Sequence, residues 1–344
     1  MGACDSMRRY VAALLSGLVL TLVTGCPVVS NLPAPGRCLT ERDPEHGRRY
    51  HLYVPSAYHD GRSWPLVVTC HGTPPFDTAQ AQFDEWKGLA ELRGFLLVAP
   101  ELVGTRGDLT PLITHQVGLQ MEDEEAILAI VHAIQAGYRI DPPRIFLTGW
   151  SGGGYAVLHT GLRNPHLFRA LAVRQGNFDP RFVESCVPFL DRHQPIQVTI
   201  GHLDVLLHDQ GLACIEWLRS HGLDPMVVER SGAHRRDPEP VLAFFVDVVR
   251  NRPWIRVLVT DDASDPMRVR FQTQTSFDAQ RFLWDFGDDS ERSPLPHPEH
   301  RYEKPGLYTV RVALWPAEGG PLVRQIPLQV PRIRLGVATT TTAP

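Results

Sequence analysis

A serine flanked by glycines lies between a short apolar segment and a helical pattern, and this arrangement restricts the fold more than any other feature. Residues 145–147 are apolar and, with Thr148, predict a buried strand. Gly-Trp-Ser-Gly-Gly follows at residues 149–153, and a helix is expected directly after Ser151. Small flanking residues are needed at such a turn because its backbone is strained and passes close to neighbouring elements. The pattern therefore predicts a strand–turn–helix unit that holds the Ser151 hydroxyl clear of a sheet edge.

Strand and helix patterns alternate over residues 45–250. The predicted strands are short and apolar, and the helices between them carry apolar residues on one face. Strands of this kind, interleaved with helices, are typical of a largely parallel sheet covered on both faces. The sequence thus predicts an α/β domain with a doubly wound, mostly parallel sheet. Strands are expected at 50–54, 66–69, 95–99, 145–148, 170–173, 196–200 and 226–229, and helices at 83–92, 122–136, after 151, at 211–220 and at 240–250.

Four consecutive acidic residues, 122–125, open the second predicted helix. Clustered carboxylates can hold a metal ion, but acidic residues in the first turn of a helix also complement its dipole. We favour the dipole interpretation and expect neither a metal nor a cofactor.

The character of the chain changes near Pro253. Short segments of alternating polarity follow, separated by turn-rich pieces and without a helical period. This pattern predicts a small all-β, immunoglobulin-like sandwich over residues 253–332. The remaining residues, 333–344, form a Thr/Ala/Pro tail that cannot build a core.

Composition excludes two classes of protein. The 34 Lys and Arg residues are outnumbered by 38 Asp and Glu residues, and a net charge of −4 gives no global electrostatic reason to bind nucleic acid. No stretch reaches the ~20 apolar residues that span a bilayer, which excludes a polytopic membrane protein. The length of 344 residues suits two domains.

The N-terminus carries the pattern of an export signal. Arg8 and Arg9 precede an apolar run over residues 11–23, and small residues lead to Cys26. This segment resembles the bacterial lipobox, which implies removal of residues 1–25, a diacylglycerol on Cys26 and a lipid-anchored linker over residues 26–44. The protein would then be exported and held at a membrane of the cell envelope. An ordinary cleaved signal with a coincidental cysteine is the alternative.

Four cysteines remain after the expected lipidation site. An even number in an exported protein permits two disulfides with three possible connectivities, and the sequence leaves the pairing open. A buried free thiol is the alternative for Cys70, which ends an apolar strand. The four are Cys38, Cys70, Cys186 and Cys214.

A nucleophilic serine needs a basic histidine and an acid that orients it, and in this fold the chain order is serine, acid, histidine. Asp204 follows the strand at 196–200, and His234 follows the strand at 226–229 and precedes the last helix. Asp209 is the weaker candidate for the acid because it lies near a helix start, where capping explains it. We predict that Ser151, Asp204 and His234 form a catalytic triad.

Catalysis at a carbonyl also needs N–H donors for the developing oxyanion. One is expected from Gly152, the residue after the nucleophile, and the second from the loop after an earlier strand. The strand at 66–70 ends in His71-Gly72-Thr73, so we predict the Thr73 N–H as the second donor and a structural role for His71.

Several of these segments resemble one group of α/β-hydrolases. Over about residues 45–250 the chain is similar to the polyhydroxybutyrate depolymerase/feruloyl esterase group. The similar segments are Tyr-His-Leu-Tyr-Val-Pro at 50–55, Pro-Leu-Val-Val at 65–68, the serine turn and Gly-Ala-His at 232–234. The resemblance implies a secreted serine esterase acting on esters of aromatic acids, acetylated sugars or short polyesters. The group often has Trp-Pro after the histidine, whereas Arg235-Arg236-Asp237 follows here. These arginines suit either an anionic substrate or a solvated loop.

The second domain has its own resemblance. It resembles a polycystic kidney disease (PKD) domain in three segments. These are Trp-Asp-Phe-Gly-Asp-Asp-Ser at 284–290, His-Arg-Tyr at 300–302 and Pro-Gly-Leu-Tyr-Thr-Val at 305–310. The resemblance implies a spacer or a module that contacts carbohydrate or protein. We interpret Asp288 and Asp289 as turn-capping residues rather than calcium ligands.

Taken together, these features predict an exported, lipid-anchored serine hydrolase of carboxylic esters. A catalytically silent binding or adhesion protein on a hydrolase scaffold is one alternative, and a serine peptidase of related fold is another.

Overall fold

The computed structural model of the chain describes residues 36–105 and 112–331. The predicted signal at 1–25, the lipidation site Cys26, most of the predicted linker and the tail at 333–344 lie outside the described residues. All of the described residues belong to one compact unit.

The first domain contains an eight-stranded sheet. Its strand order is β1-β2-β4-β3-β5-β6-β7-β8, with antiparallel pairing between β1, β2 and β4 and parallel pairing from β4 to β8. The predicted doubly wound, mostly parallel sheet is confirmed. The strands are β1 Arg37–Arg42, β2 Arg49–Val54, β3 Trp64–Cys70, β4 Leu96–Pro100, β5 Ile140–Trp150, β6 Ala170–Arg174, β7 Ile196–Gly201 and β8 Met226–Arg230. The helices are α1 Ala79–Arg93, α2 Ile113–Gly137, α3 Gly153–Arg163, α4 His208–Ser220 and α5 Glu239–Asn251.

Two hydrophobic clusters cover the faces of this sheet. Successive side chains of a strand point to opposite faces, so Leu96 and Val98 join the cluster under α2, α3 and α4, whereas Leu97 and Ala99 join the cluster under α1 and α5. All five residues of β4 are buried. Burial on both faces explains why the central strands are continuous apolar runs in the sequence.

The edge strand β1 corrects the predicted domain organisation. Residues 37–42 were assigned to the linker at 26–44, but they form a strand that pairs with β2 along its whole length. No residue of β1 is buried, so this strand leaves no apolar pattern in the sequence.

The acidic cluster at 122–125 also has a different role from the predicted one. Helix α2 begins at Ile113, so these residues lie in its middle and the dipole interpretation is wrong. Asp123 is buried and accepts hydrogen bonds from Val103 N (2.9 Å) and Gly104 N (2.7 Å), while burial raises its pKa to about 6. Asp123 therefore anchors the loop that follows β4. Within the described ranges, no His, Cys, Asp and Glu side chains are grouped as a metal site.

The second domain is a sandwich of two three-stranded antiparallel sheets, as predicted. The sheet orders are β12-β10-β9 and β11-β13-β14. Trp284 and Phe286 point into the shared core, and Asp288 accepts hydrogen bonds from Ser290 within its turn and contacts His300 Nε2 at 2.7 Å. The three-residue strand β12 was not predicted. The strands are β9 Ile255–Asp261, β10 Arg268–Thr275, β11 Ala279–Asp285, β12 Glu299–Arg301, β13 Gly306–Pro316 and β14 Leu322–Val330.

Cys38, Cys70, Cys186 and Cys214 are all free thiols. Cys38 is exposed, and the other three are buried in the first domain. Burial raises the pKa of the Cys186 and Cys214 thiols to about 12. The two disulfides that the cysteine count permitted are thus absent among these residues. In the part of the chain that the structure describes, no helix combines the length and apolarity needed to cross a bilayer.

Candidate active site

Ser151 occupies a strained turn between β5 and α3. Its φ of 53° lies in the left-handed region, which is costly for a residue with a Cβ atom. Its N–H donates to the Arg174 carbonyl (3.2 Å), and its own carbonyl accepts from Gly154 N and Asn177 N (2.9 Å each). These three hydrogen bonds hold the turn at the carboxyl edge of the sheet, where the sequence placed it.

Close backbone approach explains the glycines on either side of the serine. A Cβ atom on Gly149 would lie 2.6 Å from the Gly153 carbonyl oxygen, and one on Gly153 would lie 2.5 Å from the Cys70 carbonyl oxygen. Both distances are below any real contact of a Cβ atom, and the neighbouring groups are backbone atoms that cannot rotate away. The small residues are therefore a steric requirement of the turn.

The structure brings the predicted acid and base together. Asp204 is buried in the loop after β7, and its Oδ2 lies 2.8 Å from Nδ1 of His234. Its other oxygen, Oδ1, accepts hydrogen bonds from the N–H groups of Leu206 and Leu207 (3.2 and 3.1 Å). Asp204 can thus hold the imidazole with Nδ1 protonated and Nε2 free to accept a proton. Asp209, the weaker candidate, lies in the first turn of α4.

Stacking places the His234 ring beside the serine turn. The ring centroids of His234 and Trp150 are 4.4 Å apart, with an interplanar angle of 23°, and Trp150 directly precedes Ser151. Among the described residues, His234 makes its side-chain hydrogen bond to Asp204 and none to Ser151. The link between serine and histidine therefore stays a prediction.

The two predicted oxyanion donors are neighbours. A Cβ atom built on Gly152 would lie 3.2 Å from Thr73 N and 2.9 Å from Thr73 Oγ1, so the Thr73 backbone passes alongside the residue after the nucleophile. No hydrogen bond found within residues 36–105 and 112–331 uses either N–H group. The arrangement leaves both free for a ligand, and their role as an oxyanion hole stays a prediction.

His71 has structural contacts, in agreement with its predicted role. It is buried, its Nδ1 lies 2.7 Å from the Gly72 carbonyl, and its Nε2 accepts a hydrogen bond from Leu102 N (2.9 Å). Burial lowers the pKa of His71. A neutral ring with Nδ1 protonated satisfies both contacts and ties the loop of Thr73 to the loop after β4.

Gln175 is a site residue that the sequence reasoning missed. It follows β6 with a φ of 43°, and its Nε2 donates to Asp204 Oδ2 and to the Ala233 carbonyl (3.1 Å each). Its Oε1 accepts the N–H of Arg235 (3.1 Å). One buried amide thus joins the acid loop to the histidine loop. The one available signal was its position at the carboxyl end of a predicted strand.

The two arginines after His234 have separate environments. Arg236 forms an ion pair with the buried Asp77 (Nη1 to Oδ1, 2.9 Å) and lies over the Trp150 ring. The other oxygen of Asp77 accepts the N–H of Gly72 (2.7 Å). Arg236 therefore connects the histidine loop to the predicted oxyanion loop, a role outside both of the predicted alternatives. Arg235 is exposed beside it.

Two domain families match parts of the chain. Residues 88–193 match the prolyl oligopeptidase family, and residues 250–325 match the PKD domain. Together with the observed topology, these matches define an α/β-hydrolase domain followed by a PKD domain.

Individual relatives are more distant. A bifunctional acetylxylan esterase/xylanase from Neocallimastix patriciarum is 29% identical over 119 residues, which is 35% of this chain and 16% of that protein. Among solved structures, a CE1 ferulic acid esterase from Anaeromyces mucronatus has a TM-score of 0.47 at 13% identity, covering 62% of this chain and 89% of that one. Dipeptidyl peptidase 4 from Porphyromonas gingivalis has a TM-score of 0.46 at 16% identity, covering 62% and 35%.

Proposed function

We propose that this protein is a serine hydrolase of carboxylic esters. The observation that carries the proposal is the hydrogen-bonded pair of Asp204 and His234, stacked beside the strained turn of Ser151. The similarity of one segment to an acetylxylan esterase supports ester chemistry in particular. The family match of residues 88–193 favours a second candidate, a serine peptidase.

The reaction follows from the roles of these groups. Ser151 Oγ attacks the ester carbonyl while His234 Nε2 takes the hydroxyl proton, and Asp204 stabilises the resulting imidazolium. The N–H groups of Gly152 and Thr73 stabilise the oxyanion of the tetrahedral intermediate. His234 then returns the proton to the leaving alcohol. A water molecule, deprotonated in the same way, releases the acid and regenerates Ser151.

Hydrolysis of chromogenic substrates by the full chain separates the candidates. We expect turnover of p-nitrophenyl acetate, butyrate or ferulate and no turnover of aminoacyl p-nitroanilides. Cleavage of the anilides alone would favour the peptidase. Absence of turnover on both, together with no labelling by a fluorophosphonate, would favour the silent binding protein.

An exposed apolar rim supports hydrophobic acyl groups as substrates. We define the rim as Phe76, Leu203, Val205 and Leu206, whose exposed fractions are 84%, 68%, 94% and 70%. Phe76 lies on the loop of Thr73, and the other three flank Asp204. Large apolar side chains this exposed, on the loops of the predicted acid and of a predicted oxyanion donor, support contact with an apolar ligand. Esters of aromatic acids and short polyesters are therefore the substrates that we propose, together with the acetyl esters that the similarity to an acetylxylan esterase suggests.

Replacing part of the rim should change selectivity for the acyl group. We compare kcat/KM for p-nitrophenyl octanoate with kcat/KM for p-nitrophenyl acetate. In Phe76→Ser/Val205→Ser we expect the octanoate-to-acetate ratio to fall about tenfold, because the long acyl chain loses apolar contact worth roughly 1.4 kcal/mol. Leu92→Ser, which removes a side chain 73% exposed at the end of α1, is the matched control and should leave the ratio unchanged. An unchanged ratio in the double variant would exclude the rim from substrate contact.

Gln175→Met should lower kcat by about 10- to 100-fold while KM changes little. Methionine fills a similar volume but makes none of the three hydrogen bonds that join the loops of Asp204 and His234, and a misplaced base loses rate at this scale. Steady-state kinetics on p-nitrophenyl butyrate measures both constants. Gln80→Met, at an exposed position of α1, controls for the substitution. A proportional rise in KM with constant kcat would contradict a positioning role.

Export and attachment complete the proposal. The lipobox-like segment supports a diacylglycerol on Cys26, with the protein held at a membrane of the cell envelope. We infer that the PKD domain contacts carbohydrate or protein near the ester substrate. Cys26→Ser should release the protein from the membrane fraction, and retention there would exclude a lipid anchor at this residue.

A further inference from the structure

A cavity of about 360 Å³ lies where the two domains meet, away from the site of Ser151. The first domain contributes Arg169, Arg192, His193 and Asp224 to its lining, the connection between the domains contributes Arg252, and β14 contributes Arg324. Four arginines therefore line one cavity of a size that suits a small molecule.

Carboxylates within the described residues do not balance this charge. Arg324 pairs with Asp191 (Nη1 to Oδ2, 2.6 Å), but Arg169, Arg192 and Arg252 have no acidic side chain as an ion-pair partner there. Asp224 is the acidic residue that lines the cavity, and it is exposed. Like charges on one cavity repel each other, and an anion bound between them would relieve that repulsion.

The environment of the Arg169 side chain is a second observation about the charge of this cavity. It is 4% exposed, its Nη2 donates to the carbonyls of Val248 and Arg252, and its Nε has no hydrogen-bond partner among the described residues. A buried guanidinium N–H without a partner is costly, because the lost hydration is not replaced. Burial and the nearby Arg324 and Arg252 lower the pKa of Arg169 to about 10. Arg169 thus places a buried positive charge, with one unsatisfied N–H, beside a cavity that other arginines also line.

We propose that this cavity binds an anion through a carboxylate or phosphate group, held by Arg192 and Arg252 above the buried Arg169. Guanidinium groups bind such oxyanions through paired, charge-assisted hydrogen bonds. The ligand would contact both domains and so stabilise their packing by mass action. Inorganic phosphate and a sugar acid such as glucuronate share this chemistry. The proposal is independent of the proposed ester hydrolysis.

Calorimetric titration of the full chain with phosphate and with glucuronate, at constant ionic strength in chloride, tests the proposal. We expect saturable binding of at least one of them and a dissociation constant at least tenfold higher in Arg192→Gln/Arg252→Gln. The matched control is Arg139→Gln/Arg268→Gln, which removes one exposed arginine outside the cavity from each domain, and it should bind as the unmodified protein does. Binding of one ligand alone identifies the oxyanion that the cavity selects.

Thermal unfolding distinguishes binding from a structural role of the two arginines. Without added anion, Arg192→Gln/Arg252→Gln should melt at the same temperature as the unmodified protein or higher, because repulsion is relieved. With the anion, the unmodified protein should gain stability and the variant should not. The rate of ester hydrolysis should be the same for the unmodified protein and the variant, with and without the anion. Failure of both ligands to bind saturably, or an equal loss of binding in the control, would overturn the proposal.

Discussion

Ser151→Ala should abolish the hydrolysis of p-nitrophenyl esters, with a loss of at least about 10³-fold in kcat. In the proposed mechanism the serine oxygen forms the acyl-enzyme, and removal of a triad nucleophile leaves only the contribution of the oxyanion hole and binding. The substitution also removes no packing from the core, since an alanine Cβ occupies the place of the serine Cβ. Circular dichroism should therefore be unchanged.

Ser231→Ala is the matched control for this loss. Ser231 is exposed in the same loop as His234, so its removal should leave turnover within a factor of about two. A fluorophosphonate should label the unmodified protein and Ser231→Ala, and it should not label Ser151→Ala. If Ser151→Ala keeps its turnover, the activity resides elsewhere in the chain and the proposed triad is wrong.

The sequence was sufficient for the central sheet because burial on both faces leaves an unbroken apolar run. The strands β3 to β7 were all predicted on this signal. The signal was missing in the exposed edge strand β1 and in the three-residue strand β12. The start of α2 was missed for a related reason, since the buried residues of its first two turns are Gln116 and Gln120 rather than apolar residues.

The predictions for the site succeeded or failed according to how directly the sequence reports each contact. Chain order and position after a strand were enough to predict that Asp204 contacts His234, because the carboxyl ends of parallel strands share one edge of a sheet. The groups that connect the loops could not be found in this way. Gln175 and the pair of Arg236 with Asp77 act through hydrogen bonds between segments far apart in the chain, and their residue types have many ordinary roles on a protein surface.

The second large effect that we expect is a loss of stability when a buried ion pair near the site is broken. Arg174 Nη1 lies 3.1 Å from both carboxylate oxygens of Glu85, and the exposed fractions of the two side chains are 3% and 12%. Arg174 Nη2 donates to Thr69 and Gln82. Gln82 donates in turn to Asp77 (2.7 Å), and the Arg174 carbonyl accepts the N–H of Ser151. The pair therefore underlies the serine turn and the loop of Thr73.

Glu85→Ala should lower the free energy of unfolding by about 3–5 kcal/mol, because it leaves a buried guanidinium without its carboxylate. Urea denaturation measures this change. On the same helix, Asp84→Ala breaks an exposed pair with Lys87, whose side chains are 47% and 44% exposed, and should cost less than about 1 kcal/mol.

The double variant Glu85→Leu/Arg174→Met distinguishes the cost of an unpaired buried charge from the cost of losing a side chain. Since it removes both charges and keeps apolar volume, it should be more stable than Glu85→Ala. Equal stability losses in Glu85→Ala and Asp84→Ala would show that the buried charge is compensated by other groups. A double variant that folds well but hydrolyses esters slowly would instead assign the pair to the shape of the site. The Arg174 carbonyl accepts the N–H of Ser151, and Gln82 donates to Asp77, whose carboxylate accepts the N–H of Gly72 before Thr73.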